Sequence, residues 1–409
     1  MSRVYTSPRV LPLLILGFAS GLPLALVSGT LQAWATVENV SLTEIGFLTL
    51  VGSAYTLKFL WAPLIDRYAP PFMGRRRGWI LLTQLLLAAS IAAMGLFSPS
   101  VNLTALALLA VWVAFLSATQ DIAFDAYCTD VLQAQERAAG AAVKVMGYRI
   151  AMIVSGGLAL ILADRWLGWS NTYFLMGGFM ALCALVTLIS PEPQEQSRPP
   201  RSLSEAVVAP LADFFSRPGA WSILALIVLY KLGDAFAGAL STTFLIRAAG
   251  FTLSEVGTIN KVFGLAATVV GALMGGAIMA RLGLYRALMI FGVLQAVSNL
   301  GYWWIAIETA PSMWLMGMVV GLENLCGGLG TAAFVALLMA LCNRTYSATQ
   351  FALLSALSAV GRTYLAGPLT PVLVESLGWP GFFICTVFIA VPGLLMLRCY
   401  RGLLQQLDA

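Results

Sequence analysis

Runs of apolar residues, separated by short polar segments, extend along the whole chain of 409 residues. A helix needs about 20 consecutive apolar residues to cross a hydrocarbon layer of ~30 Å. The runs therefore predict twelve transmembrane helices, called spans one to twelve in chain order. They lie near residues 11–37, 45–65, 79–97, 103–124, 139–162, 172–190, 221–246, 256–280, 285–306, 312–341, 349–371 and 379–398.

The composition supports this assignment, because 60% of the residues are hydrophobic, only 10% are charged and the mean hydropathy is +0.88. Soluble globular domains contain far more charged residues than this. The sequence thus predicts an all-α, polytopic membrane protein. The first run follows Arg3 and Arg9 and lacks a small-residue cleavage site, so it is expected to be a retained helix and not a signal peptide.

The chain is predicted to consist of two similar halves. Residues 41–46, SLTEIG, recur as TLSEVG at residues 252–257, a shift of 211 residues, and Arg149 recurs as Arg362. An even number of spans in each half makes this a parallel repeat. We therefore expect an N-terminal six-helix bundle (1–190), a linker with an amphipathic segment (191–220) and a C-terminal six-helix bundle (221–409).

Basic residues predict the orientation of the chain, because they concentrate in cytoplasmic loops. Two arginines, Arg165 and Arg247, lie in loops on one side of the predicted membrane. Fifteen lie on the other side, which places both termini and the linker in the cytoplasm. These fifteen are Arg3, Arg9, Arg67, Arg75, Arg76, Arg77, Arg137, Arg198, Arg201, Arg217, Arg281, Arg286, Arg344, Arg398 and Arg401.

Several kinds of chemistry are disfavoured by the residue types present. Histidine is absent, and the six cysteines show no paired spacing, so neither a metal site nor a disulfide is predicted. No pairing of a nucleophile with a base is evident, and the linker is too short for a catalytic domain. A membrane enzyme or a sensor is therefore less well supported than a transporter, and no cofactor is expected.

Two carboxylates in span four are the first candidates for function. Asp121 and Asp125 are one helical turn apart, so they lie on one face of the helix. Acids at membrane depth usually face a bundle interior or a watery cavity and mark a pathway for ions or substrate. Asp121, Asp125, Asp234 and Glu323 are the candidates for proton coupling, since a carboxylate whose basic neighbour moves away can load and release a proton.

Basic and polar residues within the spans are candidates for binding an anionic substrate through charge and hydrogen bonds. The alternative is that buried charges only neutralise one another. Trp34 is interpreted as an interfacial anchor. The predicted substrate-binding set is Gln32, Tyr55, Lys58, Asp121, Tyr148, Arg149, Lys231, Asp234, Lys261, Asn324 and Arg362.

The loop after span two reads WAPLIDRYAPPFMGRRRG and resembles the loop signature of the major facilitator superfamily. It predicts a charge lock that forms when the cytoplasmic side closes. The alternative is that the arginines only satisfy the positive-inside rule. The predicted gating residues are Asp66, Arg67, Arg75, Arg76, Arg77 and Asp130.

Longer strings resemble the AmpG muropeptide permeases of Gram-negative bacteria. They include GFASGLPLALVSGTLQAW, SATQDIAFDAYCTDVL, VLYKLGDAFAGALSTTFLIR and SATQFALLSALSAVGR. The resemblance implies proton-driven import of N-acetylglucosaminyl-1,6-anhydro-N-acetylmuramyl peptides across the inner membrane by alternating access. It also implies roles in peptidoglycan recycling and β-lactamase induction, and a monomer. QDIAFDAYCTDVL also resembles acetyl-coenzyme A transporters, which are the alternative.

Overall fold

The computed structural model describes residues 7–133, 136–192, 209–216, 219–342 and 347–406. All regular secondary structure within these ranges is helical, as the composition predicts. The physical reason is that a helix satisfies its backbone polar groups internally, which the hydrocarbon interior of a membrane requires. Most of the predicted linker, residues 193–208, lies outside these ranges, as do Arg3, Arg198, Arg201, Arg217 and Arg344.

The chain forms two compact units. The N-unit comprises Met1–Val40 and Val51–Leu203, and the C-unit comprises Ser41–Leu50 and Ser204–Ala409. The short segment 41–50, from the start of span two, is thus grouped with the second half of the chain. The predicted division into residues 1–190, 191–220 and 221–409 stays a prediction.

The N-unit contains most of spans one to six. Its described α-helices are α1 (Pro12–Leu26), α2 (Gly29–Val37), α4 (Ser53–Leu57), α5 (Ala62–Arg67), α6 (Arg75–Met94), α7 (Pro99–Val131), α8 (Arg137–Met152), α9 (Ala159–Arg165) and α10 (Gly168–Ile189).

The C-unit contains the start of span two together with spans seven to twelve. Its described α-helices are α3 (Leu42–Leu48), α11 (Ala209–Phe215), α12 (Ala220–Ala239), α13 (Ser241–Thr243), α14 (Leu253–Val256), α15 (Gly264–Leu282), α16 (Leu284–Ser298), α17 (Leu300–Ile307), α18 (Met313–Leu341), α19 (Ser347–Val360), α20 (Gly367–Cys399) and α21 (Arg401–Gln406).

Ten helical stretches of the described chain are long and apolar enough to cross a membrane. Ten stretches are consistent with twelve predicted spans, because two spans are merged into one stretch and one span is broken into short pieces. Spans eleven and twelve run together as Leu353–Cys399, with a break at Gly378, whose φ of 67° favours glycine. Span two is not the continuous helix that its apolar run predicted.

Span two is broken by two 3₁₀ turns, Thr49–Gly52 and Lys58–Leu60, and Pro63 lies in the first turn of α5. Glycine and proline both lower helix propensity, which explains why an apolar run here does not form one helix. A 3₁₀ stretch within a helix often marks a hinge.

The repeated motif has a structural explanation. In both copies the first hydroxyl residue begins a helix and forms a capping box with the glutamate three residues later. Glu44 N donates to Ser41 Oγ at 3.2 Å, and Glu255 N donates to Thr252 Oγ1 at the same distance. The motif therefore fixes the start of the second span in each half.

Glycines allow close helix packing in both units. A Cβ atom at Gly147 of α8 would meet the carbonyl oxygen of Leu14 on α1, and one at Gly271 of α15 would meet that of Leu325 on α18. Small residues at such contacts let helix backbones approach closely in a membrane.

Trp34 is not the interfacial anchor that the sequence suggested. Its side chain is 2% exposed, and its ring stacks on Trp169 at 5.5 Å and lies 5.2 Å from the Tyr173 ring, measured between centroids. Trp34 therefore belongs to the core of the N-unit.

Candidate functional site

The half-buried Asp121 carboxylate lies at the centre of a polar cluster in the N-unit. Ser20 Oγ on α1 donates a hydrogen bond to Asp121 Oδ1 at 2.5 Å. The charged groups that act on Asp121 are Lys58 from the second 3₁₀ turn of span two, Asp125 and Lys144. Elements that are distant in sequence thus bring two cations and a hydroxyl to this carboxylate.

Asp125 has a counter-ion of its own. Lys144 Nζ on α8 contacts Asp125 Oδ1, and the same ammonium lies 5.1 Å from the centroid of the Phe124 ring. Asp125 is thus paired with a lysine of the neighbouring helix α8. Sequence reasoning missed Lys144 as a site residue, although its position in span five was the available signal.

Three further predicted residues, Tyr55, Tyr148 and Arg149, interact with this cluster or with one another. Asp121 acts electrostatically on the Tyr55 and Tyr148 hydroxyls, and Arg149 acts on Tyr148. Gln32 lies half-buried on α2. The N-unit therefore combines acids, cations and phenolic hydroxyls in one region.

A second cluster lies in the C-unit and is organised around Lys231 of α12. Its ammonium lies 3.5 Å from Asp234 Oδ2 and donates to Thr331 Oγ1 at 3.4 Å. It also lies 5.7 Å from the centroid of the Phe334 ring. Lys231 thus has a carboxylate, a hydroxyl and an aromatic face as neighbours.

Glu323 of α18 is held by hydrogen bonds from two elements. Asn324 Nδ2 donates to Glu323 Oε2 at 2.8 Å, and Tyr302 Oη of α17 donates to the same oxygen at 3.5 Å. Thr268 in turn donates to Asn324 Oδ1 at 3.0 Å. The charges acting on Glu323 come from Asp234 and Lys231 on α12 and from Arg362.

Lys261 is a further predicted substrate-binding residue of the C-unit. It lies in a π-helical turn, Gly257–Phe263, and its ammonium donates to Thr242 Oγ1 at 2.9 Å. The charged group acting on it is the Arg362 guanidinium, which lies in another π-helical turn, Gly361–Ala366. Turns of this kind within α-helices are frequent at functional sites.

The two clusters follow the repeat. Ser20 and Lys231 occupy equivalent positions, since the shift from 20 to 231 is the same 211 residues that relates the two capping boxes. Ser20 contacts Asp121 of span four, and Lys231 contacts Thr331 of span ten. In each half, a residue of the first span thus contacts the fourth span of that half.

The predicted gating arginines have partners within the N-unit. Arg76 Nε lies 3.0 Å from Asp130 Oδ2, and both side chains are less than 10% exposed. Arg77 pairs with Glu192 at 3.0 Å and donates to the Leu188 carbonyl at 2.7 Å, at the end of α10. An arginine at a helix C-terminus satisfies otherwise unpaired carbonyls.

Arg67 and Arg75 are two further predicted gating residues. Arg75 begins α6, and the Arg67 guanidinium lies 5.9 Å from the centroid of the Tyr68 ring. The side chain of Asp66 lies outside the described part of the chain. No group of three or more metal-ligating residues comes together within the described ranges.

A helical protein with many spans and with ionisable side chains inside its helical units is, by class, a multi-pass membrane transport protein. Residues 13–364 match the model of the Major Facilitator Superfamily, and the chain belongs to this family. It is therefore a transporter and not an enzyme.

Relatives support the assignment over nearly the whole chain. The chain is 61% identical over 403 residues to the anhydromuropeptide permease of Escherichia coli strain K12, which covers 98% of this chain and 82% of that protein. It is 34% identical over 410 residues to the putative transporter AmpG 4 of Rickettsia felis, with 97% of each chain covered.

Solved structures share the fold at low sequence identity. A bacterial homologue of the human lysosomal transporter Spinster aligns with a TM-score of 0.76 and 16% identity, covering 99% of this chain and 98% of that one. A D-xylose–proton symporter aligns with a TM-score of 0.72, 13% identity and coverage of 96% and 97%. These likenesses concern the fold alone.

Proposed function

We propose that the protein imports N-acetylglucosaminyl-1,6-anhydro-N-acetylmuramyl peptides from periplasm to cytoplasm, coupled to proton entry. The observation that carries the proposal is the 61% identity over 98% of the chain to a protein named anhydromuropeptide permease. The protein would act as a monomer in the bacterial inner membrane, with both termini in the cytoplasm. Its role would lie in peptidoglycan recycling and, through it, in β-lactamase induction.

The proposed mechanism is alternating access by a rocking motion, with the proton gradient as driving force and no cofactor. Asp121, Asp125, Asp234 and Glu323 are the proposed coupling acids. Lys58, Arg149, Lys231, Lys261 and Arg362 would bind anionic groups of the substrate, and Gln32, Tyr55, Tyr148 and Asn324 would bind its sugar and amide groups. The acids at membrane depth and their basic neighbours support this assignment, because such groups mark ion and substrate pathways.

The loop after span two is the proposed cytoplasmic gate, with Asp66, Arg67, Arg75, Arg76, Arg77 and Asp130 as its residues. The buried Arg76–Asp130 pair supports a specific role for this loop beyond the positive-inside rule.

Uptake into proteoliposomes tests the proposed function. A labelled anhydromuropeptide is offered with and without an imposed inward proton gradient. Accumulation above the outside concentration only with the gradient is expected, together with weak competition by acetyl-coenzyme A. Equal uptake under both conditions would exclude proton coupling, and uptake of labelled acetyl-coenzyme A with no muropeptide uptake would favour the other carrier family.

A further inference from the structure

Lys144 of α8 and Asp125 of α7 form an ion pair that is open to a ligand. The Lys144 ammonium contacts Asp125 Oδ1, and the two side chains are 28% and 55% exposed. In the Arg76–Asp130 pair of the same unit, by contrast, both side chains are less than 10% exposed. Exposed ion pairs contribute little to stability. A competing anion can therefore take the place of the Asp125 carboxylate.

The pair lies inside the helical bundle and not in a loop. Asp125 lies six residues before the end of α7, and Lys144 lies seven residues after the start of α8. At a rise of 1.5 Å per residue, each is about 10 Å from the end of its helix. Charged side chains in membrane-spanning helices face a bundle interior or a water-filled cavity, not lipid. We therefore assign the exposed part of this pair to the aqueous pathway.

The backbone that carries Lys144 is fixed, whereas its side chain is free to turn. A Cβ atom at Gly17 of α1 would meet the Lys144 carbonyl oxygen, and one at Gly21 would meet the Tyr148 carbonyl oxygen. A lysine has a flexible stem and three donors, so the ammonium can turn towards a ligand while α8 stays packed on α1. The Phe124 ring, whose centroid is 5.1 Å from the ammonium, offers it an aromatic face in either position.

The repeat does not duplicate this ion pair. A shift of 211 residues relates Asp125 to Ala336 and Lys144 to Ser355, neither of which is charged. The capping boxes, which build the architecture, occur in both halves. The ion pair is therefore not required by the architecture that the two halves share, which favours a role in recognition.

We propose that Lys144 binds a peptide carboxylate of the transported muropeptide, and that the Asp125 carboxylate occupies the same ammonium when no substrate is bound. The inference rests on the proposed function and deepens it, because it adds Lys144 to the substrate-binding residues and makes Asp125 a displaceable counter-ion. One carboxylate replaces another in this exchange, so the ammonium keeps a charge-assisted hydrogen bond throughout. The displaced Asp125 carboxylate remains hydrated, since its side chain is 55% exposed.

Exchange of labelled ligand across proteoliposomes without a proton gradient tests the inference, because exchange reports binding apart from proton coupling. The two ligands are the anhydromuropeptide and the same compound with its peptide carboxylates amidated. In Lys144→Gln we expect the exchange efficiency of the parent to fall about 10-fold or more, the size of a lost charge-assisted hydrogen bond. The amidated ligand should be exchanged as in wild type. Lys144→Arg, which keeps the charge, should keep most of the preference for the parent.

Asp125→Asn should have the opposite effect. It removes the carboxylate that competes for the ammonium, so the half-saturating concentration of the parent should fall about two- to fivefold, the value of an exposed ion pair. The half-saturating concentration of the amidated ligand should not change. In Lys144→Gln/Asp125→Asn the gain should disappear, because no ammonium is freed. A purely structural ion pair would make both single changes weaken exchange of both ligands.

The matched control is Arg9→Gln. The Arg9 side chain is 27% exposed and lies 3.7 Å from a carboxylate oxygen of Glu136, so it resembles Lys144 in exposure and pairing but lies before the start of α1. Arg9→Gln should leave the ratio between the two ligands unchanged. Thermal unfolding shows which variants are folded, and Asp125→Asn keeps the inference testable if Lys144→Gln does not fold.

The outcomes separate this inference from the proposed function. Wild type that exchanges neither ligand would overturn the proposed function and this inference with it. A folded Lys144→Gln that loses exchange of both ligands equally, or an Asp125→Asn variant that binds the parent no better than wild type, would overturn the role of Lys144 while the proposed function stands.

Discussion

Lys144 of α8 contacts the carboxylate of Asp125 on α7, whereas Asp121, one turn earlier on α7, accepts a hydrogen bond from Ser20 of α1. The two acids share a helix face but not an environment. Asp125 is in contact with the Lys144 ammonium, and its side chain is 55% exposed. Asp121 is half-buried, the charges of Lys58 and Lys144 both act on it, and it is the better candidate for a carboxylate whose charge changes during transport.

The first prediction concerns these two acids. Asp121→Asn should abolish gradient-driven accumulation of substrate but keep exchange, because an amide cannot load a proton. Asp125→Asn should retain accumulation. Uptake and counterflow in proteoliposomes measure both, and if both variants accumulate substrate like wild type, Asp234 and Glu323 become the coupling candidates.

The second prediction compares two ion pairs of the N-unit. Arg76 and Asp130 are buried, so Asp130→Asn breaks a buried ion pair and should lower the free energy of unfolding by about 3–5 kcal/mol. Asp125→Asn breaks a more exposed pair and should cost about 0–1 kcal/mol. Unfolding in detergent is the measurement. The double variant Arg76→Gln/Asp130→Asn should be less destabilised than the two single changes added together, and simple additivity would contradict the pairing.

The third prediction tests the contact of α3 with α20 in the C-unit. A Cβ atom at Gly46 would lie 2.6 Å from Pro371 Cγ and 2.7 Å from the Gly367 carbonyl oxygen. Gly46→Ala should therefore destabilise the protein by about 1–3 kcal/mol through overpacking. The matched control is Gly276→Ala on α15. A Cβ atom at Gly276 would have no neighbouring atom within 4 Å, so this variant should be neutral or stabilising. Equal unfolding temperatures for the two variants would show that α3 is not packed here.

The fourth prediction concerns pH. A hydrogen bond from the Ser7 hydroxyl at 2.6 Å lowers the pKa of Glu136, in the connection between α7 and α8. A carboxyl whose pKa is lower in the folded state stabilises the protein at pH values above its unfolded pKa of about 4.3, and this contribution is lost as the pH falls through the folded pKa.

Wild type should therefore unfold at a higher temperature than Glu136→Gln at pH 7, and the difference should shrink as the pH is lowered below about 4. Ser7→Ala should weaken the pH dependence of this difference, since it removes the largest cause of the shift. A difference that stays constant from pH 7 to pH 3 would contradict the role of Glu136.

Much of the fold could be predicted from patterns within short segments of the sequence. Hydropathy located the spans, because the length of an apolar run is set by the thickness of the membrane. The SLTEIG and TLSEVG motifs identified the repeat, and both form capping boxes, which depend on residues only three positions apart. Hydropathy predicted one continuous helix at span two, but the backbone preferences of glycine and proline interrupt the helix there.

The amino-acid sequence by itself determined the helical class, the repeated capping motif, and which acids and bases lie within the apolar runs. Only the tertiary structure decided which side chains meet: Ser20 with Asp121, Lys144 with Asp125, and Tyr302 with Glu323. The physical reason is that hydropathy and helical periodicity act within one helix. Pairings between helices depend on how the helices pack, and Ser20 and Asp121 are 101 residues apart in the chain.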